Sequence, residues 1–285
     1  MSAPSKSDGA QRGGFADLAP RVTSAVAMVV AALGALYLGG DVFALFWLLA
    51  GFAVNWEWQG LVGGERRIWR VAAGAVAVAA SAAFGHTGLA GPAFVVMSAC
   101  SAVAAALSWP DRRLWAAGGV VYASALTFSV CWLRESADLG LLAIAFLFAV
   151  VWGTDVFAYF GGRLIGGPKL APAISPGKTW SGFWSGVVCG AGFGALAAHF
   201  WPNVDAPFLP LFLLGLVAGA LAQGGDLFES WIKRRFNLKD SSRLIPGHGG
   251  FMDRLDGFIA AAIFAALFGL SRGLPSAAAG LFFWP

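Results

Sequence analysis

The sequence predicts an all-α, polytopic membrane protein with about nine transmembrane helices. Apolar residues make up 58% of the 285 residues, charged residues make up 12%, and the mean hydropathy is +0.72. Soluble domains are about 45–50% apolar and about 25% charged, so the composition excludes both a soluble globule and a disordered chain. The chain also contains nine apolar runs separated by polar breaks, and its basic residues fall in alternate breaks.

A helix that spans a bilayer needs about 20 mostly apolar residues. Residues 1–21 are polar and lack the apolar core of a signal peptide, so we interpret them as a cytoplasmic tail. Residues 22–132 form the N-terminal transmembrane helices, and residues 133–285 form a C-terminal transmembrane region that carries the chemistry. The predicted spans are residues 22–39, 42–56, 71–85, 89–108, 114–132, 140–160, 181–200, 207–228 and 252–272.

The basic residues give the helices an orientation. With the N-terminus in the cytoplasm and the helices alternating, seventeen Lys and Arg residues lie inside and only two, Arg134 and Arg272, lie outside. This asymmetry is the positive-inside rule, and it predicts a bacterial-type inner-membrane protein whose polar segments face the cytoplasm. It also accounts for the net charge of +4, so we expect no nucleic-acid partner.

Small residues recur at every fourth position of the seventh run. Such spacing lets two helices approach closely, and we interpret it as a packing surface. The residues are Gly182, Gly186, Gly190 and Gly194.

A first group of polar residues lies near the end of the sixth run. Asp155, Tyr159 and Arg163 follow one another at four-residue spacing, which places them along one face of a helix. An acid inside a span is a candidate for function because burying its charge is unfavourable. The alternative is a structural ion pair between Asp155 and Arg163.

A second polar segment, Ser175-Pro-Gly-Lys178-Thr179, precedes the seventh run. Pro176 and Gly177 predict a turn immediately before the helix begins. A helix N-terminus that carries free N–H groups, a lysine and a hydroxyl suits a phosphate. The Gly-Lys-Thr sequence is not a P-loop, because the upstream glycine of that motif is missing.

The third segment carries most of the ionisable residues. Asp226, Glu229, Ser230 and Lys233 are spaced to share one helical stripe. The alternative is a positive-inside loop with a few ion pairs, but such a loop does not require acids at membrane depth. Basic residues then accumulate at the membrane surface, at Lys233, Arg234, Arg235 and Lys239.

A glycine-rich turn and two further acids complete this segment. The turn, Pro246-Gly-His248-Gly-Gly250, lets the backbone approach a ligand closely, and His248 is a candidate base, phosphate contact or turn residue. Asp253 and Asp256 follow in the first turn of the last predicted span. Carboxylates beside many cations suit Mg²⁺ shared with phosphates. The three cysteines lie in apolar runs without the spacing of a zinc site.

Together these segments resemble the signature of the phosphatidate cytidylyltransferases, or CDP-diacylglycerol synthases. Three upstream elements resemble that family as well: Gly225-Asp226-Leu-x-Glu229-Ser230, Ser-Pro-x-Lys-Thr at 175–179, and Asp155, Tyr159 and Gly162-Arg163. Ser181 stands where the family commonly carries Glu, so any role of that acid is missing here or supplied by another residue, for which Glu229 is one candidate. The main match is Ser230-x-x-Lys-Arg-x-x-x-x-Lys239-Asp-x-x-x-x-x-Pro-Gly-His248-Gly-Gly-x-x-Asp253-Arg-x-Asp256.

The resemblance implies that CTP and phosphatidate react to give CDP-diacylglycerol and pyrophosphate, at an active site on the cytoplasmic face. It implies Mg²⁺, with room for a second cation, and a homodimer. The acyl chains are expected to stay in the bilayer. The implied metal ligands are Asp226, Asp253 and Asp256, and the implied catalytic residues are Asp226, Asp253, Lys178, Lys233 and His248. The implied substrate-binding residues are Ser175, Thr179, Ser230, Arg234, Lys239, Gly249, Gly250, Arg254, Asp155, Tyr159 and Arg163.

Three rival functions were weighed. A cation-coupled transporter that uses Asp155 and Asp226 predicts inverted repeats with broken helices, and the sequence shows neither. A CDP-alcohol phosphatidyltransferase predicts an Asp-Gly-x-x-Ala-Arg core, whereas Asp256-Gly257 is followed by Phe-Ile-Ala-Ala. A CTP-dependent isoprenoid or polyprenol kinase stays open, because it differs only in using a hydroxyl instead of a phosphate as acceptor.

Overall fold

The computed structural model describes residues 18–238, 240–242, 244–245 and 249–284, with side chains from residue 22. Two predicted site residues, Lys239 and His248, lie outside the described residues, as does the tail up to residue 17. The helices are α1 Leu18–Leu38, α2 Gly40–Val62, α3 Arg67–His86, α4 Ala90–Ala106, α5 Arg113–Arg134, α6 Gly140–Leu164, α7 Trp180–His199, α8 Phe208–Arg235, α9 Met252–Ser271 and the short α10 Ala277–Phe282. One 3₁₀ turn, Pro110–Arg112, leads into α5.

The all-α architecture is confirmed, and each predicted apolar run coincides with one of the helices α1–α9. Within the described residues, six helices are long and apolar enough to span a membrane: α3, α5 with its preceding turn, and α6 to α9. α1 and α4 contribute shorter apolar stretches. The protein is therefore a polytopic membrane protein, while the count of nine spans stays a prediction.

Helix α2 has the length of a span but an unusual set of polar residues. Asn55, Glu57 and Gln59 are all buried within the protein. Asn55 Nδ2 donates to the carbonyl of Val71 at 3.0 Å, and Gln59 Nε2 donates to the carbonyl of Ala116 at 2.9 Å. These two donors tie α2 to α3 and α5, while the buried Oδ1 of Asn55 has no hydrogen-bond partner among the described residues.

The glycine stripe of α7 packs directly on α6, as predicted. A Cβ atom at Gly190 would lie 2.6 Å from the backbone nitrogen of Thr154, and one at Gly186 would lie 2.6 Å from the carbonyl oxygen of Thr154. A Cβ at Gly194 would lie 2.3 Å from Val150. Only glycine permits this approach, so the stripe fixes α7 against the helix that carries Asp155.

The helices bring the two halves of the chain together at α9. α9 packs against α8 on one side and against α5 on the other, and α2 also contacts it. α1 lies beside α2 and α6. The first turn of α9 is consequently surrounded by residues from both halves.

A short antiparallel hairpin precedes α7, and it corrects one prediction. Strand β1, Lys169–Ala171, pairs with strand β2, Ser175–Thr179, with Lys169 opposite Thr179 and Ala171 opposite Ser175. The chain turns at residues 172–174. The turn predicted at Pro176 and Gly177 is therefore wrong: these residues lie within β2, because Pro is tolerated in an edge strand whose N–H needs no partner.

Candidate active site

A polar cavity of about 560 Å³ lies between α6, β2 and α8. Residues from three separate polar segments of the sequence therefore meet at one site. Arg163 Nη1 donates a hydrogen bond to the Tyr159 hydroxyl at 3.0 Å. Arg163 thus has a partner other than Asp155, with which it would pair in the alternative of a structural ion pair. The residues that line the cavity include Asp155, Tyr159, Gly162, Arg163, Lys178, Thr179, Gln223 and Asp226.

Lys178 joins the hairpin to α8. Its Nζ lies 2.6 Å from Asp226 Oδ2 and donates to Gln223 Oε1 at 2.8 Å. The side chains of Lys178 and Asp226 are 17% and 35% exposed, so both remain accessible from the cavity. This ammonium group is positioned to meet an anion that enters the cavity.

The hydroxyl residues beside Lys178 organise the start of α7. Thr179 is the N-cap of this helix, and its Oγ1 accepts a hydrogen bond from the backbone N–H of Gly182 at 3.1 Å. Ser181, at the position where an acid was expected, lies 3.1 Å from Thr179 Oγ1 and also donates to the carbonyl of Gly166. Ser175 lies at the other end of β2, opposite Ala171, and not in the cavity lining.

The predicted stripe on α8 is present. Ser230 Oγ donates to Asp226 Oδ1 at 3.4 Å, and Lys233 Nζ lies 3.6 Å from Glu229 Oε1. Glu229 is only 1% exposed. Lys233 Nζ also lies 2.7 Å from Asp253 Oδ1, so the stripe on α8 is tied to the first turn of α9.

The carboxylate of Asp253 has hydrogen-bond partners in addition to its ion pair with Lys233. Besides Lys233, it accepts hydrogen bonds at Oδ2 from the backbone N–H of Gly250 at 2.8 Å and from the backbone N–H of Ser241 at 3.2 Å. Ser241 Oγ lies 3.1 Å from the same oxygen. The carboxylate thus ties Ser241 and Gly250 to the start of α9.

A second cavity, of about 480 Å³, adjoins the first and is mostly apolar. α1, α2, α6 and α9 line it, with aromatic residues such as Trp47, Trp152 and Phe258. Asp155 lines both cavities, and Arg254 and Asp256 lie with it in the lining of the apolar one. Asp155 is also within electrostatic reach of Asp226 and Asp256. Asp155 therefore lies where an apolar cavity meets a cavity lined by charged residues.

The remaining predicted residues lie around this junction. Gly249 has a positive φ of 83°, and its carbonyl accepts a hydrogen bond from Ile245 at 2.9 Å. Arg234 is exposed at the end of α8. A Cβ at Gly250 would lie 1.7 Å from Ser241 Oγ, so this position admits only glycine.

Sequence analysis missed Glu57, which reaches this site from α2. It is 1% exposed and accepts hydrogen bonds from the backbone N–H groups of Phe251 and Met252 at 2.7 and 2.6 Å. The signal that could have found it is the one applied to Asp155, an acid within an apolar segment.

The acids fit the chemistry of Mg²⁺, although they do not form a closed cage. Within the described ranges, no group of three acidic, histidine or cysteine side chains converges as a metal site. Mg²⁺ usually takes one or two protein carboxylates and completes its shell with water and substrate phosphates. The oxygens of Asp226 and Asp256, beside the open cavities, suit that mode of binding, and both oxygens of buried Glu229 lack a hydrogen-bond partner among the described contacts.

The sequence also matches a known protein family. The sequence profile of the cytidylyltransferase family matches residues 19–271. The chain belongs to the cytidylyltransferase family. The matched cytidylyltransferase region includes α1 to α9 from residue 19 onward and contains every candidate site residue named above.

Curated members of the family resemble the chain over nearly its full length. Phosphatidate cytidylyltransferases of Brucella abortus (strain 9-941) and Brucella suis are each 36% identical to it over 277 residues, which cover 94% of this chain and 99% of the relative. The phosphatidate cytidylyltransferase of Rickettsia felis is 45% identical over 128 residues, or 43% of this chain and 56% of the relative.

Proposed function

We propose that this chain is a membrane nucleotidyltransferase that converts CTP and phosphatidate to CDP-diacylglycerol and pyrophosphate. The proposal rests on the position of Asp155. This residue lines both the apolar cavity between the helices and the polar cavity that Lys178 and Asp226 also line. A diacyl phosphate and a nucleoside triphosphate need such a pair of compartments. The assignment agrees with the family and with the curated relatives.

In the reaction, a phosphate oxygen of phosphatidate attacks the α-phosphorus of CTP. The bond from that phosphorus to the oxygen bridging the α- and β-phosphates breaks, and pyrophosphate leaves with the electron pair. Phosphatidate is already a competent nucleophile, so the protein acts by positioning two anions and neutralising their charge.

The basic residues are the proposed phosphate contacts. Lys178 lies in the polar cavity and serves CTP, while Arg254 lines the apolar cavity and serves the phosphate of the lipid. Arg163 and Tyr159 line the rim of the polar cavity. The sequence adds Lys233, Arg234, Lys239 and His248 to the proposed phosphate contacts and Gly249 and Gly250 to the proposed N–H donors.

We propose that Mg²⁺ is the cofactor, held by Asp226, Asp253 and Asp256, and that a second cation can share the site. These residues would hold the cation beside the substrate phosphates, where it would help to neutralise the charge of the leaving pyrophosphate. Asp226 and Asp256 are the acids nearest the open cavities. Asp253 already accepts four contacts, from Lys233, Ser241 and Gly250, and it holds the surrounding segment in place.

The proposed location is the inner membrane, with the N-terminus and the site facing the cytoplasm, where CTP is made. The support is the positive-inside distribution of seventeen basic residues against two. A homodimer is the assembly implied by the family resemblance, and crosslinking of the protein in native membranes tests it.

The proposed function is tested by an assay of the detergent-solubilised protein with CTP, Mg²⁺ and dioleoyl phosphatidate. We expect lipid-extractable cytidine and pyrophosphate to appear in equal amounts. Dioleoyl glycerol, which offers a hydroxyl in place of the phosphate, is the matched control and should give neither product. Product formation from the glycerol lipid, with none from phosphatidate, contradicts the proposal.

A further inference from the structure

Glu57 lies in α2 but contacts the segment that precedes α9. The carboxylate is 1% exposed. Oε1 accepts hydrogen bonds from Ser242 Oγ at 2.5 Å and Phe251 N at 2.7 Å, and Oε2 accepts from Met252 N at 2.6 Å and lies 3.1 Å from Ser241 Oγ. Four donors from one segment therefore converge on one acid that is 184 to 195 residues distant along the chain.

All four of these partners can donate a hydrogen bond, so the position suits a side chain that accepts at both of its oxygens. Two are backbone N–H groups at the start of α9, where the first N–H groups of a helix have no partner within the helix and the helix dipole favours negative charge. The other two are hydroxyls. A carboxylate can accept from all four, with the single hydroxyl proton of Ser241 directed at either Glu57 or Asp253, whereas an amide at the same position must direct its NH₂ group at other donors.

Glu57 and Asp253 contact the same residue, Ser241. Ser241 Oγ lies 3.1 Å from Glu57 Oε2 and 3.1 Å from Asp253 Oδ2, and Ser241 N donates to the same oxygen of Asp253. A Cβ at Gly250 would lie 3.0 Å from both oxygens of Glu57. The backbone of the glycine-rich segment thus fits between two carboxylates, one from each half of the chain.

We propose that Glu57 is a positioning residue for the cytidylyl transfer described above. Glu57 itself lines neither cavity, although its partner Phe251 lines the apolar one, and it acts through Ser241, Ser242 and the residues that begin α9. By holding Ser241, Ser242 and the first turn of α9, it sets the position of Asp253 and of its partner Lys233. This role rests on the proposed function, and it assigns to the N-terminal helices a part in building the active site.

The test compares Glu57→Gln with Glu65→Gln, an exposed acid in the loop after the same helix. We expect Glu57→Gln to lower kcat on the order of 10- to 100-fold, as loss of a supporting contact does, with the KM for phosphatidate unchanged. The control is expected to keep the wild-type kcat. An unchanged kcat in Glu57→Gln overturns the proposal.

A second readout needs no substrate. Trypsin cleaves after Lys239 and Arg243, which adjoin Ser241 and Ser242 along the chain, so limited digestion reports how often the contacts of these two serines open. We expect cleavage after these residues to be several-fold faster in Glu57→Gln than in the control, with the thermal midpoint of the helical body retained. Wild-type cleavage rates in Glu57→Gln overturn the proposal, and this result is readable even if the wild-type protein fails to transfer cytidylyl groups.

If Glu57→Gln does not fold, Ser242→Ala provides the test. It removes the hydroxyl that donates to Glu57 Oε1 and buries no new polar group. We expect it to raise the cleavage rate and lower kcat in the same direction. In combination with Glu57→Gln it should add little, since both changes break the same contact. Fully multiplicative losses in the double variant overturn the proposed link.

Discussion

Lys178 and Asp226 form an ion pair of 2.6 Å that joins the strand before α7 to α8. The pair lies in the lining of the polar cavity, and Gln223 holds the same ammonium group at 2.8 Å. In the absence of substrate, each residue neutralises the other. In the proposed mechanism, CTP would offer its phosphates to Lys178, and Asp226 would be one of the residues that hold a divalent cation.

Removing the charge of Lys178 is expected to weaken the use of CTP. Lys178→Met keeps the length of the side chain but loses a charged hydrogen bond, which contributes about 1.5–3 kcal/mol, so kcat/KM for CTP should fall about 10- to 100-fold. Lys169→Met, on the exposed strand that pairs with β2, is the matched control. Equal kinetics in the two variants contradict the assignment of Lys178 to phosphate.

Asp253→Asn is expected to abolish most turnover while the protein stays folded. The neutral amide loses the ion pair with Lys233 and the ionic character of its contacts with Ser241 and Gly250, and kcat should fall by about 10²- to 10³-fold. Asp138→Asn, an exposed acid in the loop between α5 and α6, serves as the control. Full activity of Asp253→Asn at an unchanged thermal midpoint refutes a role for this acid in the site.

Removal of divalent cations is expected to stop the reaction. Treatment with EDTA should abolish turnover, and added Mg²⁺ should restore it. Asp226→Asn should then need a higher Mg²⁺ concentration for half-maximal activity than the wild-type protein, because one of its oxygen ligands is less basic and uncharged. Turnover that persists in EDTA rules out the proposed cofactor.

Close packing between α6 and α7 gives a prediction about stability. Gly190→Ala places a Cβ 2.4 to 2.9 Å from atoms of Thr154, and such overpacking costs about 1–3 kcal/mol. A Cβ at Gly192, on another face of α7, meets only Phe212 at 3.9 Å. The thermal midpoint should therefore fall in Gly190→Ala and stay near the wild-type value in Gly192→Ala. A similar midpoint in both variants contradicts the packing role of the stripe.

The sequence located the helices well wherever apolar runs end in polar breaks. The last span was predicted at residues 252–272, and α9 is Met252–Ser271. The eighth span was predicted at residues 207–228, and α8 continues beyond it to Arg235, in agreement with the helical stripe predicted from Asp226 to Lys233. Glu229 and Lys233 remain helical there since partners on α9 and on α8 itself offset their charges.

Two features were beyond reach of the sequence for physical reasons. The hairpin before α7 has strands of only three and five residues, too short for an alternating pattern. The contacts of Glu57 join segments more than 180 residues apart along the chain, and nothing local specifies them. The cavities that meet at Asp155 depend on the same long-range packing, although the acid itself was predicted from its place within a span.

Cytidylyl transfer is tested most directly with CTP labelled by tritium in the cytidine and by radioactive phosphorus in the γ-phosphate. With phosphatidate as acceptor, we expect the lipid to gain tritium while the phosphorus label leaves as pyrophosphate. Phosphorus label in the lipid, with tritium released as CDP, contradicts cytidylyl transfer and identifies a CTP-dependent lipid kinase.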